Sequence, residues 1–241
     1  MDTKYAIIVA GGTGSRMASA IPKQFLLLKG LPVLMHSLLA FRKSKSFPHL
    51  VLVLHPTMHE EWQSLCKIHE FNIPHTLVAG GNSRYESVKN GLNKIQSMDS
   101  KSAQALIAVH DAVRPLVPPS LIDHTYTVAQ QSRAAALAIA SSNSIRLQHL
   151  SDTSNSAYPR EKVFLMQTPQ TFTGTVLFKA YEQAEDESCT DDASIVEKTG
   201  IPITLVPGDT CNIKITFPED LPIAEKLLDN LESSRTADDS Q

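Results

Sequence analysis

The stretch Ala10-Gly11-Gly12-Thr13-Gly14-Ser15-Arg16-Met17, with Pro22-Lys23-Gln24-Phe25 shortly after it, decides how the rest of the chain is read. Ahead of it runs Tyr5-Ala6-Ile7-Ile8-Val9, which is short, apolar and rich in β-branched residues, and so predicts a buried strand. Glycines at the end of a strand let the backbone come close to a ligand, with N–H groups turned toward an anion. Arg16 and Lys23 bring positive charge within reach of the same point. Together these features read as a loop that holds a nucleoside triphosphate.

The charge distribution agrees. No Asp or Glu occurs from Thr3 to His59, whereas Lys4, Arg16, Lys23, Lys29, Arg42, Lys43 and Lys45 all do. The formal net charge of the chain is −3, so this cationic block is a local feature that raises the concentration of polyanions beside the glycine turn. Arg42, Lys43 and Lys45 are read instead as a solvated face near a helix end.

The bulk composition narrows the class. At 241 residues, 42% hydrophobic and 20% charged, the chain fits a globular protein. No apolar run approaches the roughly 20 residues that span a bilayer, and Asp2 speaks against a signal peptide. Cys66, Cys189 and Cys211 form neither a zinc pattern nor a disulfide framework, which points to a reducing cytoplasm. The acidic balance and 6% aromatics argue against a nucleic-acid partner.

Outward from the loop, apolar runs at Leu50–Leu54, Leu77–Val78, Ala105–Val109, Ala134–Ala140, Ile203–Val206 and Ile213–Thr216 predict strands, and Phe164–Met166 is apolar again, leading into Gln167-Thr168-Pro169-Gln170. Helical spacing covers Leu34–Phe41, His59–His69, Ser83–Ile95, Pro119–Ala129, Val176–Glu185, Ala193–Thr199 and Pro218–Leu231. Thr190-Asp191-Asp192 is placed to cap the helix from Ala193. This alternation implies an α/β fold with a mostly parallel sheet and helices on both faces. One domain is expected over residues 1–232, with a serine-rich excursion at about 141–162 and a polar tail from Ser233 to Gln241.

The loop is not one of the commonest nucleotide binders. A dinucleotide loop wants glycine where Met17 stands and an acidic residue about 20 positions on, yet the first is Glu60. A Walker loop would end in Gly-Lys-Ser or Gly-Lys-Thr, which is absent. Pro22 biases Ile21 toward extended backbone, so Arg16 and Lys23 are expected to flank a ligand from a loop rather than along one helix.

Six motifs in order carry a resemblance over about residues 5–230. They are Gly11 to Met17 with Pro22-Lys23-Gln24-Phe25; Gly80-Gly81 with Arg84 and Ser87-Val88; and His110-Asp111-Ala112-Val113-Arg114-Pro115. Then come Gln167-Thr168-Pro169-Gln170, Thr190-Asp191-Asp192-Ala193-Ser194 and Asn212-Ile213-Lys214-Ile215-Thr216. Together they resemble the 2-C-methyl-D-erythritol 4-phosphate cytidylyltransferase family. The resemblance implies a Rossmann-like nucleotidyltransferase fold, a homodimer joined by an extended arm, and magnesium. It also implies transfer of CMP from CTP to a polyol phosphate with release of pyrophosphate.

It further assigns roles. Ala10, Gly11, Gly12, Gly14 and Arg16 would hold the triphosphate, Lys23 would neutralise charge on the bridging and leaving oxygens, and Lys214 would approach the α-phosphate from a late strand. Gly81 and Ser87 match positions that read cytosine, and Asp111, with Ala112 beside it, would meet ribose or magnesium. Arg114, Arg160, Thr168, Thr190 and Ser144 match acceptor-side positions, with Arg114, Arg160 and Ser144 serving the site of a second subunit.

Ser144 replaces the usual threonine, Ala140 a proline, Tyr158-Pro159 a Val-Asp pair and Cys211 an Asp. A phosphate monoester acceptor is mostly dianionic at neutral pH, with a second pKa of about 6, so no side-chain base is required and none is apparent. The same nucleotide motifs also fit a cytidylyltransferase acting on ribitol 5-phosphate, or a non-catalytic nucleotide-binding protein.

Overall fold

The structure, a computed structural model, describes residues 3–10, 21–148 and 154–238. Gly11, Gly12, Gly14 and Arg16 lie outside those residues. The predicted first strand is present as β1, Lys4–Ala10. A tight hairpin of β2 (Leu27–Leu28) and β3 (Leu31–Pro32) follows, turning through Lys29 and Gly30 at φ of 50° and 79°. Such positive φ values make Lys-Gly a hairpin turn rather than a helix start.

The α/β alternation then runs α1 (Val33–Lys43), β4 (His49–Leu54), α2 (His59–Ile68), β5 (Thr76–Ala79), α3 (Arg84–Met98) and β6 (Leu106–Asp111). Arg42 and Lys43 close α1 on the exposed side, as a solvated helix end requires. After α4 (Pro119–Ser132) and β7 (Ala134–Ala140) the chain leaves the core as a hairpin, β8 (Ile145–Gln148) and β9 (Asn155–Tyr158). It returns as β10 (Phe164–Thr173), followed by α5 (Gly174–Ala180), α6 (Asp192–Glu197), β11 (Thr204–Pro207) and α7 (Asp220–Asp238).

Seven strands form one sheet in the order β11-β7-β10-β6-β1-β4-β5. The pairs β1/β4, β1/β6, β4/β5 and β11/β7 are parallel, while β10 runs antiparallel to both neighbours. Among the described residues no α-helix lies between β7 and β10, only a hairpin and one 3-10 turn at Arg160–Lys162, and a parallel return would need a crossover, usually an α-helix.

Strand parity divides the core. Ala6, Ile8, Leu50, Leu52, Leu54 and Ala108 face α1, α2 and α4, where Leu34, Leu38, Phe41, Trp62, Ile122 and Tyr126 are buried. Tyr5, Ile7, Val9, Val51, Val53, Ile107 and Val109 face the other way, onto Val88, Leu92 and Ile95 of α3 and Val176 and Leu177 of α5. A smaller cluster joins Leu28, Val33, Val113, Leu116 and Ile215 to Ala224, so α7 packs over the loop that leaves β6.

Three local expectations are corrected. Ile213–Thr216 is not a strand: it joins no ladder, although Ile215 N–H donates to the Val113 carbonyl at 2.9 Å. The helix expected to Glu185 stops at Ala180, before a run rich in exposed acidic residues. The closing helix starts at Asp220 rather than Pro218, and continues past Leu231 to Asp238, into the stretch expected as a polar tail.

Candidate active site

Of the predicted site residues that the structure describes, Lys23, Gly81, Ser87, Asp111, Ala112, Arg114, Thr168, Thr190 and Lys214 gather toward the carboxyl ends of the parallel strands, where open α/β sheets bind ligands. β1 ends at Ala10, whose carbonyl accepts a 3.1 Å hydrogen bond from buried Gln24 Nε2. Pro22 is extended, with φ −55° and ψ 132°, and Lys23–Phe25 then makes one turn of 3-10 helix. Phe25 is buried and stacks on Trp62 with ring centroids 6.3 Å apart. Burial of a phenylalanine contributes about 1.5–3 kcal/mol, so Gln24 and Phe25 fix the turn that carries half-buried Lys23.

β5 leads into Gly80-Gly81 and the start of α3, where Ser83 caps the helix by accepting from Glu86 N–H at 3.0 Å. Gly81 N–H donates to Ser87 Oγ at 3.1 Å, and that hydroxyl donates to the Ser83 carbonyl at 2.8 Å. A Cβ on Gly81 would stand 2.3 Å from Glu86 Cβ, so only glycine fits. Ser87 is buried, and its contact with Gly81 ties together the two residues matched to cytosine.

β6 ends at Asp111, at the centre of an ion-pair cluster. Its Oδ1 faces Arg84 Nε at 3.3 Å and its Oδ2 faces Lys214 Nζ at 2.7 Å, with Arg114 Nε 4.0 Å from Oδ2. Burial alone would raise the Asp111 pKa, but Arg84, Lys214 and Arg114 overcome it and hold the carboxyl well below the usual carboxylate range. Arg84 also grips Asp192 through Nη1 at 3.0 Å and Nη2 at 2.6 Å. Asp192 is fully buried and accepts from Tyr181 Oη–H at 2.6 Å.

β10 passes the end of β6 with its register shifted between Met166 and Gln170 and a cis Thr168–Pro169 bond. This irregular stretch brings the Thr168 hydroxyl within 3.1 Å of Asp111 N–H, which donates to it. His110 Nε2 is 3.1 Å from the Arg114 carbonyl, a group that can only accept, so the proton sits on Nε2. His110 Nδ1 then accepts from the Thr168 hydroxyl at 3.0 Å. Buried Asn212 donates to the Thr168 carbonyl at 3.0 Å and accepts from Arg114 Nη1 at 2.8 Å through its own carbonyl. One Arg114 donor, Nε, is buried without a hydrogen bond.

A cavity of about 180 Å³ opens here, lined by Asp111, Arg114, Thr168, Thr190 and Lys214 of the predicted residues, and by Arg84. Arg114, expected to serve a second subunit, is thus corrected to the site of its own chain, where its ion pair with Asp111 draws it in. Ala112 is buried directly behind it in sequence. A wider cavity of about 580 Å³ lies at the opposite ends of β1 and β4, around Tyr5 and His49, away from these charges. Ser144 and Arg160 do not line the site of their own chain. They are exposed at the root of the hairpin, where Arg160 Nη1 donates to the Ser142 carbonyl at 3.2 Å.

Three supporting residues escaped the sequence reading. Arg84 lies inside a quoted motif but received no role, and Gln24 and His110 look like neighbours of functional residues until their partners are seen. Asp191 does cap α6, with its carboxylate accepting from Ser194 N–H at 2.9 Å. Cys211 provides no carboxylate; its N–H donates to Asp209 Oδ1 at 2.7 Å.

Buried His110 makes a testable contribution to stability. Burial lowers its pKa to about 4, against the opposing pull of Asp111, with Arg114 and the Phe41 ring also facing it. The unfolded chain takes up this proton near pH 6.5, so stability is complete above that value and declines as the pH falls toward 4. Between pH 7 and 5 the loss amounts to about 2 kcal/mol. Urea unfolding of the wild type and of His110→Asn should show a shallower pH slope in the variant; equal slopes would remove His110 as the cause.

Residues 5–230 match the sequence model of the family described as IspD, 2-C-methyl-D-erythritol 4-phosphate cytidylyltransferase. The chain belongs to that family. The 2-C-methyl-D-erythritol 4-phosphate cytidylyltransferase of Azobacteroides pseudotrichonymphae is 44% identical, over 95% of this chain and all of that protein. That of Bacteroides thetaiotaomicron is 43% identical over 92% and 98%. The crystal structure of the Francisella tularensis cytidylyltransferase superposes with a TM-score of 0.76 at 28% identity, covering 93% of this chain and 99% of that one. Membership in the cytidylyltransferase family accounts for the match along residues 5–230 and for the shared fold.

Proposed function

We propose that the chain transfers CMP from CTP to 2-C-methyl-D-erythritol 4-phosphate by in-line attack. An acceptor phosphate oxygen bonds to the α-phosphorus, the bond from that phosphorus to the bridging oxygen breaks, and pyrophosphate leaves with the electron pair. The observation that carries this reading is the cavity at the end of β6, where Arg84, Arg114 and Lys214 surround one buried carboxylate. The attacking group is already anionic, so the work is electrostatic and positional.

In this scheme Lys214 steadies the α-phosphate, and Lys23 with Arg16 steadies the departing pyrophosphate. Gly81 and Ser87 hold the base, with Asp111 directed to the ribose. Arg114, Thr168 and Thr190 receive the acceptor. The Thr168 hydroxyl donates its hydrogen bond to His110 Nδ1 and accepts one from Asp111 N–H, so what it has left to offer is a single lone pair, suited to a polyol hydroxyl rather than a phosphate.

Magnesium would enter bound to the triphosphate, as part of the substrate. Among the described residues no group of three His, Cys, Asp or Glu side chains converges on a metal position. Asp111, the one candidate ligand, has both oxygens beside cations. A magnesium ion carried by the triphosphate needs few protein ligands.

The acceptor site is proposed to be completed by a second copy of the chain. On the β8–β9 hairpin Ile145 pairs with Tyr158 and Leu147 with Ser156, setting Leu147 and Tyr158 in the open, and Phe164 and Leu165 are exposed just beyond. A two-stranded hairpin is marginal by itself in water, and an exposed apolar face of this kind marks an interface. Its root carries Ser144 and Arg160, which would reach across to the partner's site. No helix among the described residues is long and apolar enough to cross a membrane, and the free thiols suit the cytoplasm.

Pyrophosphate release from CTP and magnesium, measured with each purified alcohol phosphate, tests the reading. Turnover with 2-C-methyl-D-erythritol 4-phosphate is expected. Activity confined to ribitol 5-phosphate would replace the acceptor, and CTP binding without pyrophosphate release would make the protein a sensor.

A further inference from the structure

We propose that Arg84 is a positioning residue that holds the charge of Asp111 so that Lys214 can leave for the reacting phosphate. The inference rests on the cytidylyl-transfer reading above. Arg84 and Lys214 divide the Asp111 carboxylate between them, one on each oxygen. They are anchored very differently. Arg84 sits in the first turn of α3 and is locked through a two-pronged contact to fully buried Asp192, itself fastened by Tyr181. Lys214 extends from a segment outside any ladder, with its side chain 38% exposed and Nζ on Asp111 Oδ2.

An ammonium held 2.7 Å from Asp111 Oδ2 spends one of its three N–H donors and much of its positive charge on that carboxylate, so it stabilises charge on the α-phosphate less than one that has moved to it. When Lys214 swings away, Asp111 stays in the protein, and a buried carboxylate stripped of its counter-charge is strongly unfavourable. Arg84 remains on Oδ1 throughout, and the unpartnered Arg114 Nε stands 4.0 Å from the oxygen that Lys214 vacates. The fixed arginine therefore makes the mobile lysine dispensable to Asp111. Without Arg84, Asp111 would retain Lys214, and turnover would suffer more than nucleotide binding.

Arg84→Gln alone would leave Asp192 buried without its cation and endanger the fold, so the test uses Arg84→Gln/Asp192→Asn, which removes both charges. Its kcat is expected to fall about 10–100-fold with KM for CTP changed less than threefold and the circular dichroism spectrum retained. The same pair of substitutions is then introduced into Asp111→Asn. With the carboxylate gone, the further loss of kcat is expected to be under twofold.

A rise in KM for CTP at unchanged kcat would overturn the proposal. So would an equal loss of kcat in the Asp111→Asn background, because a merely structural arginine would act alike in both. Wild-type turnover is measured alongside: its absence refutes the cytidylyl-transfer reading itself, whereas failure confined to the variants refutes only the role of Arg84.

Discussion

Lys23→Ala is expected to lower kcat for pyrophosphate release by about 10²–10³-fold, the range seen when one preorganised charge-stabilising group is removed. The fold should survive, because the turn around Lys23 is held by its neighbours: Gln24 is bonded to the Ala10 carbonyl, and Phe25 is packed on Trp62. Negative charge on the bridging oxygen grows as the bond to the α-phosphorus breaks, so a fixed ammonium is worth more in the transition state than in the ground state. The loss should accordingly appear in kcat at saturating CTP, with the melting temperature close to that of the wild type. Turnover within a few-fold of wild type would remove Lys23 from the leaving-group role.

Arg160→Ala is the second large effect. Arg160 is exposed at the hairpin root and lines no part of its own chain's cavity, so loss of its side chain should leave CTP binding within about twofold. Loss of a charge-assisted contact to a phosphate should reduce kcat/KM for the acceptor by about 10²-fold. If each site takes this arginine from the other subunit, mixing Arg160→Ala with Lys23→Ala creates heterodimers with one complete site, and about half of the wild-type turnover per dimer should return. Heterodimers verified by mass spectrometry that remain inactive would end the shared-site proposal.

Much of the fold was legible because the strands announce themselves. Leu50-Val51-Leu52-Val53-Leu54 can be read as a strand covered on both faces, and Ala134–Ala140 coincides with β7. The antiparallel course of β10 was not legible, because it follows only once the segment between Ala140 and Phe164 is recognised as a hairpin. Its polar, serine-rich sequence gives no alternation strong enough for that, and its apolar residues Leu147 and Tyr158 stand exposed rather than in the core. Ile213–Thr216 misled for the opposite reason: its β-branched pattern is real, but its burial comes from α7 and the loop after β6 rather than from a ladder.

At the site, the sequence marks residues that would touch substrate, because phosphate chemistry demands cations and glycines in recognisable order. It hides those that act through others. Arg84 and Asp192 are 108 positions apart and join only when α3 and α6 are set on the same face of the sheet. His110 likewise acquires its meaning only from the return of Thr168, 58 residues later.

β10 has a mechanical consequence. A single strand begins at the hairpin root with Phe164, carries Thr168 past Asp111 midway, sets Phe172 in the core and ends at Thr173. The hydrogen-bonded rungs to β7 on either side of the irregular stretch make it stiff at both ends. Docking of a second subunit on the hairpin would therefore pull on the acceptor pocket like a tie-rod, and loosening that joint would slacken the pocket without a single substrate contact being touched.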